Sequence, residues 1–285
     1  MATLTLVCST KGRPNHVARR VPLWVNSGID RVIVVDATAN PEEAAAVERS
    51  CKSAGATYIY FPSSPWDTRA KQRNLGARTA DTDWILFQDD DDDIIAEFDH
   101  SAFDLAVRDT DYLWDGRGLN LVYHRRENFL RLGGYPEDMA IGVDTAISWL
   151  VRATSRGGLE GPLYRRLEPA GNPVEVRRTN VRRAAAMFWY GVTFPRYLER
   201  TPPSLRRNTL SLSMLTYRTL WGEPAYRQTA PLGLLVYTIG LILGIPWHWI
   251  RKAYDPRFRG NLRMYRDALA SGRFPDDPGI AEKPL

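Results

Sequence analysis

The chain has 285 residues, 44% of them hydrophobic and 25% charged, a balance in the ordinary globular range that allows one large domain with an appendage. Its two cysteines, Cys8 and Cys51, exclude a disulfide framework and read as reduced, semi-buried thiols. The formal net charge of +5 is unevenly spread: residues 1–150 carry 16 Lys+Arg against 23 Asp+Glu, and residues 151–285 carry 22 against 10, so the two halves suit different partners.

The opening "MATLTLVCSTKGRP" turns polar where the apolar core of a secretory signal would continue, so the expectation is a domain that sits in the cytoplasm. Four β-branched or aromatic runs of strand length follow: "LTLVCS" (4–9), "DRVIVVD" (30–36), "ATYIYF" (56–61) and "DWILFQ" (83–88). Their near-continuous apolar character predicts central strands of a mostly parallel sheet covered on both faces. Between them lie two helix signals. Asn40 caps "PEEAAAVERSCKSA", which has proline in its first turn and stops at Gly55, and a second helix runs from Asp67 to Ala80. The alternation predicts an α/β domain with right-handed crossovers, whose ligands bind beyond the carboxyl ends of the strands. Three polar sites fall there: "STKGRP", Asp36, and the five aspartates Asp89 to Asp93.

Residues 111–139 read as strand, loop, strand, helix and a Gly-Gly turn. A helix over 144–158 ends at a glycine pair, and "PLYRRLEP" (162–169) is the last strand. Past residue 180 arginine alternates with aromatics. Residues 228–250 then carry no charged side chain and are followed by Arg251 and Lys252. The final "FPDDPGIAEKPL" reads as a loose tail. The expected division is a catalytic domain over 1–180 and a basic, aromatic, helical extension over 181–285.

The aspartate run has three readings. It is a solvated acidic loop, a hard-cation site in which carboxylates and substrate phosphates share Mg²⁺ or Mn²⁺, or the DDxxD signature of prenyl-diphosphate synthases. That last chemistry sits on helices of an all-α fold, and the strand preceding the run argues against it.

The order "STKGRP", "VIVVDAT", "KQRNLGARTADTDWILFQDDDDD", "VYHRRENFLRLGGYPED" and "GVDTAISWLVRATSRGG" resembles the family-two inverting glycosyltransferases with the GT-A fold, over roughly residues 3–168. The resemblance implies a Rossmann-like, mostly parallel sheet flanked by helices. It also implies transfer of a sugar from a nucleotide-diphosphate donor, with Mn²⁺ or Mg²⁺. By the same resemblance Thr10 and Arg13 lie against the nucleotide, and Asp36 contacts the base, with Ala37 where the family has a second acid. Arg73, Asn74 and Gly76 match its Arg-Asn-x-Gly element, and Arg69 is a further candidate for the donor phosphates. The Asp-x-Asp metal motif falls on Asp89 and Asp91, with Asp91 as principal ligand and Asp89 and Asp90 toward the ribose or behind the metal. Register along five identical residues is uncertain by one. Asp144 takes the place of the general base, with Val143 where the family has glutamate, and Asp138 and Glu137 stand in reserve. Arg69, Lys71, Arg73 and Arg78 also read as a solvated helix face, Asp144 as a helix cap, and His100 and His124 as surface or loop residues.

The uncharged run spans ~34 Å as a helix, enough to cross a bilayer's hydrocarbon. Its glycines, Pro246, His248 and basic flanks speak against a crossing, and Trp247 and Trp249 sit as interface anchors. A buried hairpin is the other reading. The expectation is an enzyme on the cytoplasmic face of the cell membrane, peripheral or with one hydrophobic anchor, acting on a glycan or polyprenyl-lipid acceptor and not on nucleic acid. The rival reading is a non-catalytic membrane-associated binding protein that keeps the fold.

Overall fold

A computed structural model describes residues 1–62, 69–90, 95–114, 122–139, 147, 150–151, 155, 157–159, 163–166, 180–200 and 230–270. In chain order the elements are β1 (Leu4–Thr10), α1 (Pro14–Val25), β2 (Arg31–Asp36), α2 (Pro41–Ala54), β3 (Thr57–Tyr60), α3 (Arg69–Thr79), β4 (Trp84–Asp89), β5 (Ile95–Phe98) and α4 (His100–Ala106). They continue with β6 (Tyr112–Trp114), β7 (Val122–Arg125), α5 (Arg126–Arg131), β8 (Gly157–Leu159), β9 (Tyr164–Arg166), α6 (Asn180–Glu199), α7 (Ala230–Tyr254) and α8 (Pro256–Ala270).

Seven strands form one mixed sheet in the order β3-β2-β1-β4-β7-β6-β8. The first four run parallel, β7 is antiparallel to both β4 and β6, and β8 is parallel to β6. Every residue of β1 and β4 is buried, as a strand covered on both faces requires. Leu4, Leu6 and Cys8 share one core with Val34, Trp84 and Leu86 and with Val17, Val21 and Trp24 of α1. On the opposite face α3 approaches β1 so closely that a Cβ on Gly76 would lie 2.3 Å from Val7 Cγ1. α2 is closed at both ends as its sequence predicts: Asn40 Oδ1 accepts from Glu42 N at 2.9 Å, and Gly55 turns left-handed at φ 84°.

The structure departs from expectation at four places. Gly157 and Gly158 end no helix; they belong to β8, where a Cβ on Gly157 would fall 2.0 Å from the Tyr112 ring. The glycine is there for a cross-strand approach. His124, expected on a surface or loop, is 1% exposed on β7, with ring centroids 6.0 Å from Phe87 and 5.1 Å from Phe129. Burial pushes its pKa down to about 3, so it is neutral. β5, for which "IAEF" gives little alternation, forms a two-stranded antiparallel ribbon with β9. Cys8 and Cys51 are wholly rather than partly buried, and burial pushes the Cys51 thiol up to about 12.

The chain forms two compact units, Met1–Tyr135 with Ser155–Val176, and Pro136–Thr154 with Arg177–Leu285. The second contains α6, α7 and α8. Among the described residues one helix is long and apolar enough to cross a membrane, over Leu234–Tyr254. The tail past residue 270 and the segment 201–229 lie outside the described residues.

Because Gly76 leaves no space for a side chain, Gly76→Val should cost about 1–3 kcal/mol of stability through forced displacement of α3. A lower urea midpoint at unchanged m-value would show it, and an unchanged midpoint would refute the tight contact.

Candidate active site

The carboxyl ends of β1, β2 and β4 lie side by side, with Ser9 in register with Asp89 and Thr10 with Asp36. Strand alternation sends Asp89 toward α3, and the residue after the strand, Asp90, meets the β1–α1 turn. Asp89 is 7% exposed and accepts from Arg69 Nη1 at 2.5 Å, Arg73 Nη2 at 2.9 Å and Ser9 Oγ at 3.3 Å. Asp90 is 1% exposed and accepts from Thr10 Oγ1 at 2.6 Å and Arg13 Nη1 at 2.8 Å. The His16 ring Nδ1 lies 3.2 Å from the Asp90 carbonyl oxygen.

Burial alone would raise the Asp89 pKa, but Arg73 and then Arg69 outweigh it and hold the carboxyl below the usual range. Arg73 is itself buried, with its guanidinium 5.2 Å from the centre of the Tyr135 ring. The arginines expected near a donor phosphate, or on a solvated helix face, are thus joined to the aspartates. Arg69 keeps 46% of its side chain exposed.

The remaining expected residues have definite places. Asp36 is fully buried. Its Oδ1 accepts from Thr38 N at 2.9 Å and Thr38 Oγ1 at 2.5 Å, and its Oδ2 accepts from Tyr58 Oη at 3.2 Å. Thr38 Oγ1 in turn accepts from Gly12 N at 2.7 Å, so Asp36 ties the β1–α1 turn to the end of β2. Burial, only partly offset by these bonds, raises the Asp36 pKa. Asn74, 2% exposed, donates to Tyr135 O and accepts from Tyr135 N, both at 2.9 Å. A Cβ on Gly134, at φ 68°, would fall 2.5 Å from Asn74 Oδ1, so the glycine lets this latch close. Asp91 and Asp144 lie outside the described residues, as do Asp92, Asp93 and Val143.

Two residues of the site went unforeseen. Gln72 Nε2 donates to both Thr10 O and Val35 O at 3.0 Å, stitching the ends of β1 and β2. Its signal was available: Arg69, Gln72, Arg73 and Gly76 repeat at the i, i+3, i+4, i+7 spacing of one helix face. Ser9 was hidden inside a strand pattern.

The donor atoms gathered around Asp89 and Asp90 on the acceptor side are carboxylate and hydroxyl oxygens, chemistry that fits Mg²⁺ or Mn²⁺ rather than a soft ion. Among the described residues no group of three His, Cys, Asp or Glu side chains is assembled to hold a metal.

A parallel β3-β2-β1-β4 sheet continued by an antiparallel β7 and then by β6 and β8, with an acidic run closing β4, is the fold of the GT-A glycosyltransferases. Among solved structures the chain is similar to residues 1–349 of TarS from S. aureus, solved with UDP, at 13% identity and TM-score 0.52, over 95% of this chain and 89% of that one. It is likewise similar to the mannosyltransferase PcManGT from Pyrobaculum calidifontis, solved with GDP-Man and Mn²⁺, at 17% identity and TM-score 0.53, over 97% and 88%. No family model matches the sequence, and no curated protein matches it.

Asp36 supplies a prediction whose sign is fixed by its environment. A carboxyl with a raised folded pKa costs stability above its unfolded pKa, and the cost grows as pH rises toward the folded value. Asp36→Asn keeps an oxygen for Thr38 and removes the charge, so it should melt higher than wild type at pH 7, with the gain vanishing near pH 4. Asp36→Ala should instead lose about 1–3 kcal/mol by orphaning Thr38 and Tyr58. Calorimetry across this pH range checks both.

Proposed function

We propose that the protein is a metal-dependent, inverting glycosyltransferase of the family-two kind, moving a hexose-type sugar from a nucleotide-diphosphate donor to a hydroxyl group. The observation that carries this reading is the pair of buried carboxylates, Asp89 and Asp90, closing β4 under three arginines on a GT-A frame. Structural neighbours solved with UDP, and with GDP-Man and Mn²⁺, support the donor class and the cation.

In this reading Asp91, with Asp89, holds Mn²⁺ or Mg²⁺, which supplies charge neutralisation of the departing diphosphate. Arg69, the most exposed of the three arginines, and Arg13 bind the donor phosphates through paired charge-assisted hydrogen bonds. Arg73 keeps Asp89 ionised. Thr10 and Asn74 act by holding backbone and carboxylate in place, and Asp36 fixes the turn against the nucleotide. Asp144 accepts the proton of the acceptor hydroxyl as its oxygen bonds to the anomeric carbon. The bond from that carbon to the diphosphate oxygen breaks on the opposite face, inverting the configuration.

Residues 1–180 form the catalytic domain in this proposal, and 181–285 a basic, aromatic extension. The apolar face of α7 supports attachment to a membrane; this reading puts it at the cytoplasmic face and takes a polyprenyl-linked or other cell-surface glycan as the acceptor.

The test is a panel of nucleotide sugars incubated with the full chain and Mn²⁺, or with EDTA. One donor should be consumed only with metal. Asp144→Asn should lower transfer by roughly 10²–10⁴-fold while nucleotide binding persists, and Asp91→Ala should lose the metal response. Donor binding without turnover for every sugar would establish the rival reading, a binding protein that keeps the fold.

A further inference from the structure

The second unit contains a pair of helices whose charges bear on how the protein meets a bilayer. α6 and α7 touch backbone to backbone. A Cβ on Gly240 would fall 2.2 Å from Phe188 O, one on Gly244 would fall 2.5 Å from Val192 O, and one on Gly191 would fall 2.2 Å from Tyr237 O. Such close approach through glycines four apart is the packing mode of helices in lipid. At the far end Glu199 pairs with His248 at 2.9 Å and with Lys252.

The contacts advance together, from Phe188 beside Gly240 through Val192 beside Gly244 to Glu199 beside His248 and Lys252. The two helices therefore run parallel, with a near-constant offset. Arg182 and Arg183 of α6 stand level with Leu234 and Leu235 of α7, and Arg196 stands level with His248. Between Arg183 and Arg196 the charge-free length of α6 is ~18 Å, against ~30 Å of bilayer hydrocarbon. Level with His248, α6 is already packed inside the protein, with Arg196 donating to Asp138 O and Arg200 paired with Asp138, so only Leu234–Trp247 of α7, ~21 Å as a helix, is left to meet ~30 Å of hydrocarbon.

Away from α6, α7 presents large apolar side chains: Leu235, Ile239, Ile242, Leu243, Trp249 and Ile250 are each between 43% and 62% exposed. We propose that α7 does not cross the membrane but lies in one leaflet, with this face in the acyl region and α6 above it toward the headgroups. Lipid is the occupant that the surrounding charge favours. The half of the chain that contains the face has 22 Lys+Arg against 10 Asp+Glu, suited to anionic headgroups. Trp247 and Trp249, with Arg251 and Lys252 next to them, form an interfacial end. This inference rests on the membrane attachment proposed above and leaves the sugar-transfer chemistry aside.

The experiment uses the full chain in sealed, inverted membrane vesicles of the expression host, with cysteine placed singly at the two ends of α7, Ala230→Cys and Tyr254→Cys. The native thiols are buried and serve as the background. A membrane-impermeant maleimide should label both variants from the cytoplasmic side, to the same extent as after detergent. Labelling of the two ends from opposite sides would overturn the proposal in favour of a crossing. In a second arm, Ile242→Asp with Leu243→Asp should move most of the protein from pelleted vesicles to the supernatant. A wild type that stays in the supernatant, as monomer or as a dimer closed over this face, would overturn it too. Neither readout needs turnover, so failure here and failure of the glycosyltransferase assay are separate results.

Discussion

The site depends on one constraint: two adjacent carboxylates, buried at the end of a strand, must be matched by counter-charges. A buried carboxylate left alone costs several kcal/mol or loses its charge. Here the match is divided by the geometry of the chain. Asp89 faces α3 and takes Arg69 and Arg73; Asp90 meets the β1–α1 turn and takes Arg13 and Thr10. The same pairs therefore join β4 to the helix on one side of the sheet and to the turn on the other. Ionisation and architecture are a single fact at this point, since the charge that a ligand would meet also holds the frame around it. Removing one partner of such a pair leaves the other buried without a match, which typically costs about 3–5 kcal/mol.

That arrangement explains which parts of the protein could be read in its sequence. The four parallel strands and α2 follow from local signals, apolar runs and caps, and the structure has them within a residue or so of the expected bounds. The aspartate run announced an unusual electrostatic site because five like charges have no local explanation. Its counter-charges could not be assigned, since whether Arg73 faces solvent or Asp89 depends on the register of α3 across β4, a tertiary quantity. Asp36 shows the same limit. Its place at a strand end was legible, but Thr38 and Tyr58 become its partners only when β2 and β3 pair. Gly157 misled for a related reason: a glycine needed to admit the Tyr112 ring is indistinguishable, along the chain, from one that stops a helix.

Polar side chains that fasten backbone recur around the site. Gln72 joins Thr10 O to Val35 O, and Asn74 closes a two-bond ring with Tyr135. Buried amides of this kind are satisfied in one geometry only, so they select a register as well as contribute stability. The Arg-Asn-x-Gly element accordingly has a structural use for each named residue: a counter-charge for Asp89, a latch on Tyr135, and room for Val7.

The segment that follows Tyr135 is fastened again three residues later. Arg200, wholly buried, gives its Nη2 to both oxygens of Asp138 at 3.0 and 3.2 Å, and Arg196 Nη1 donates to Asp138 O at 2.5 Å. The Arg200 guanidinium lies 5.8 Å from the Phe258 ring centre and 5.3 Å from that of Tyr265, both on α8. Both Asp138 oxygens accept from one buried guanidinium, which anchors the segment to the end of α6. Of the acids that follow the Gly133–Gly134 turn, Asp138 therefore serves the packing of α6 and α8.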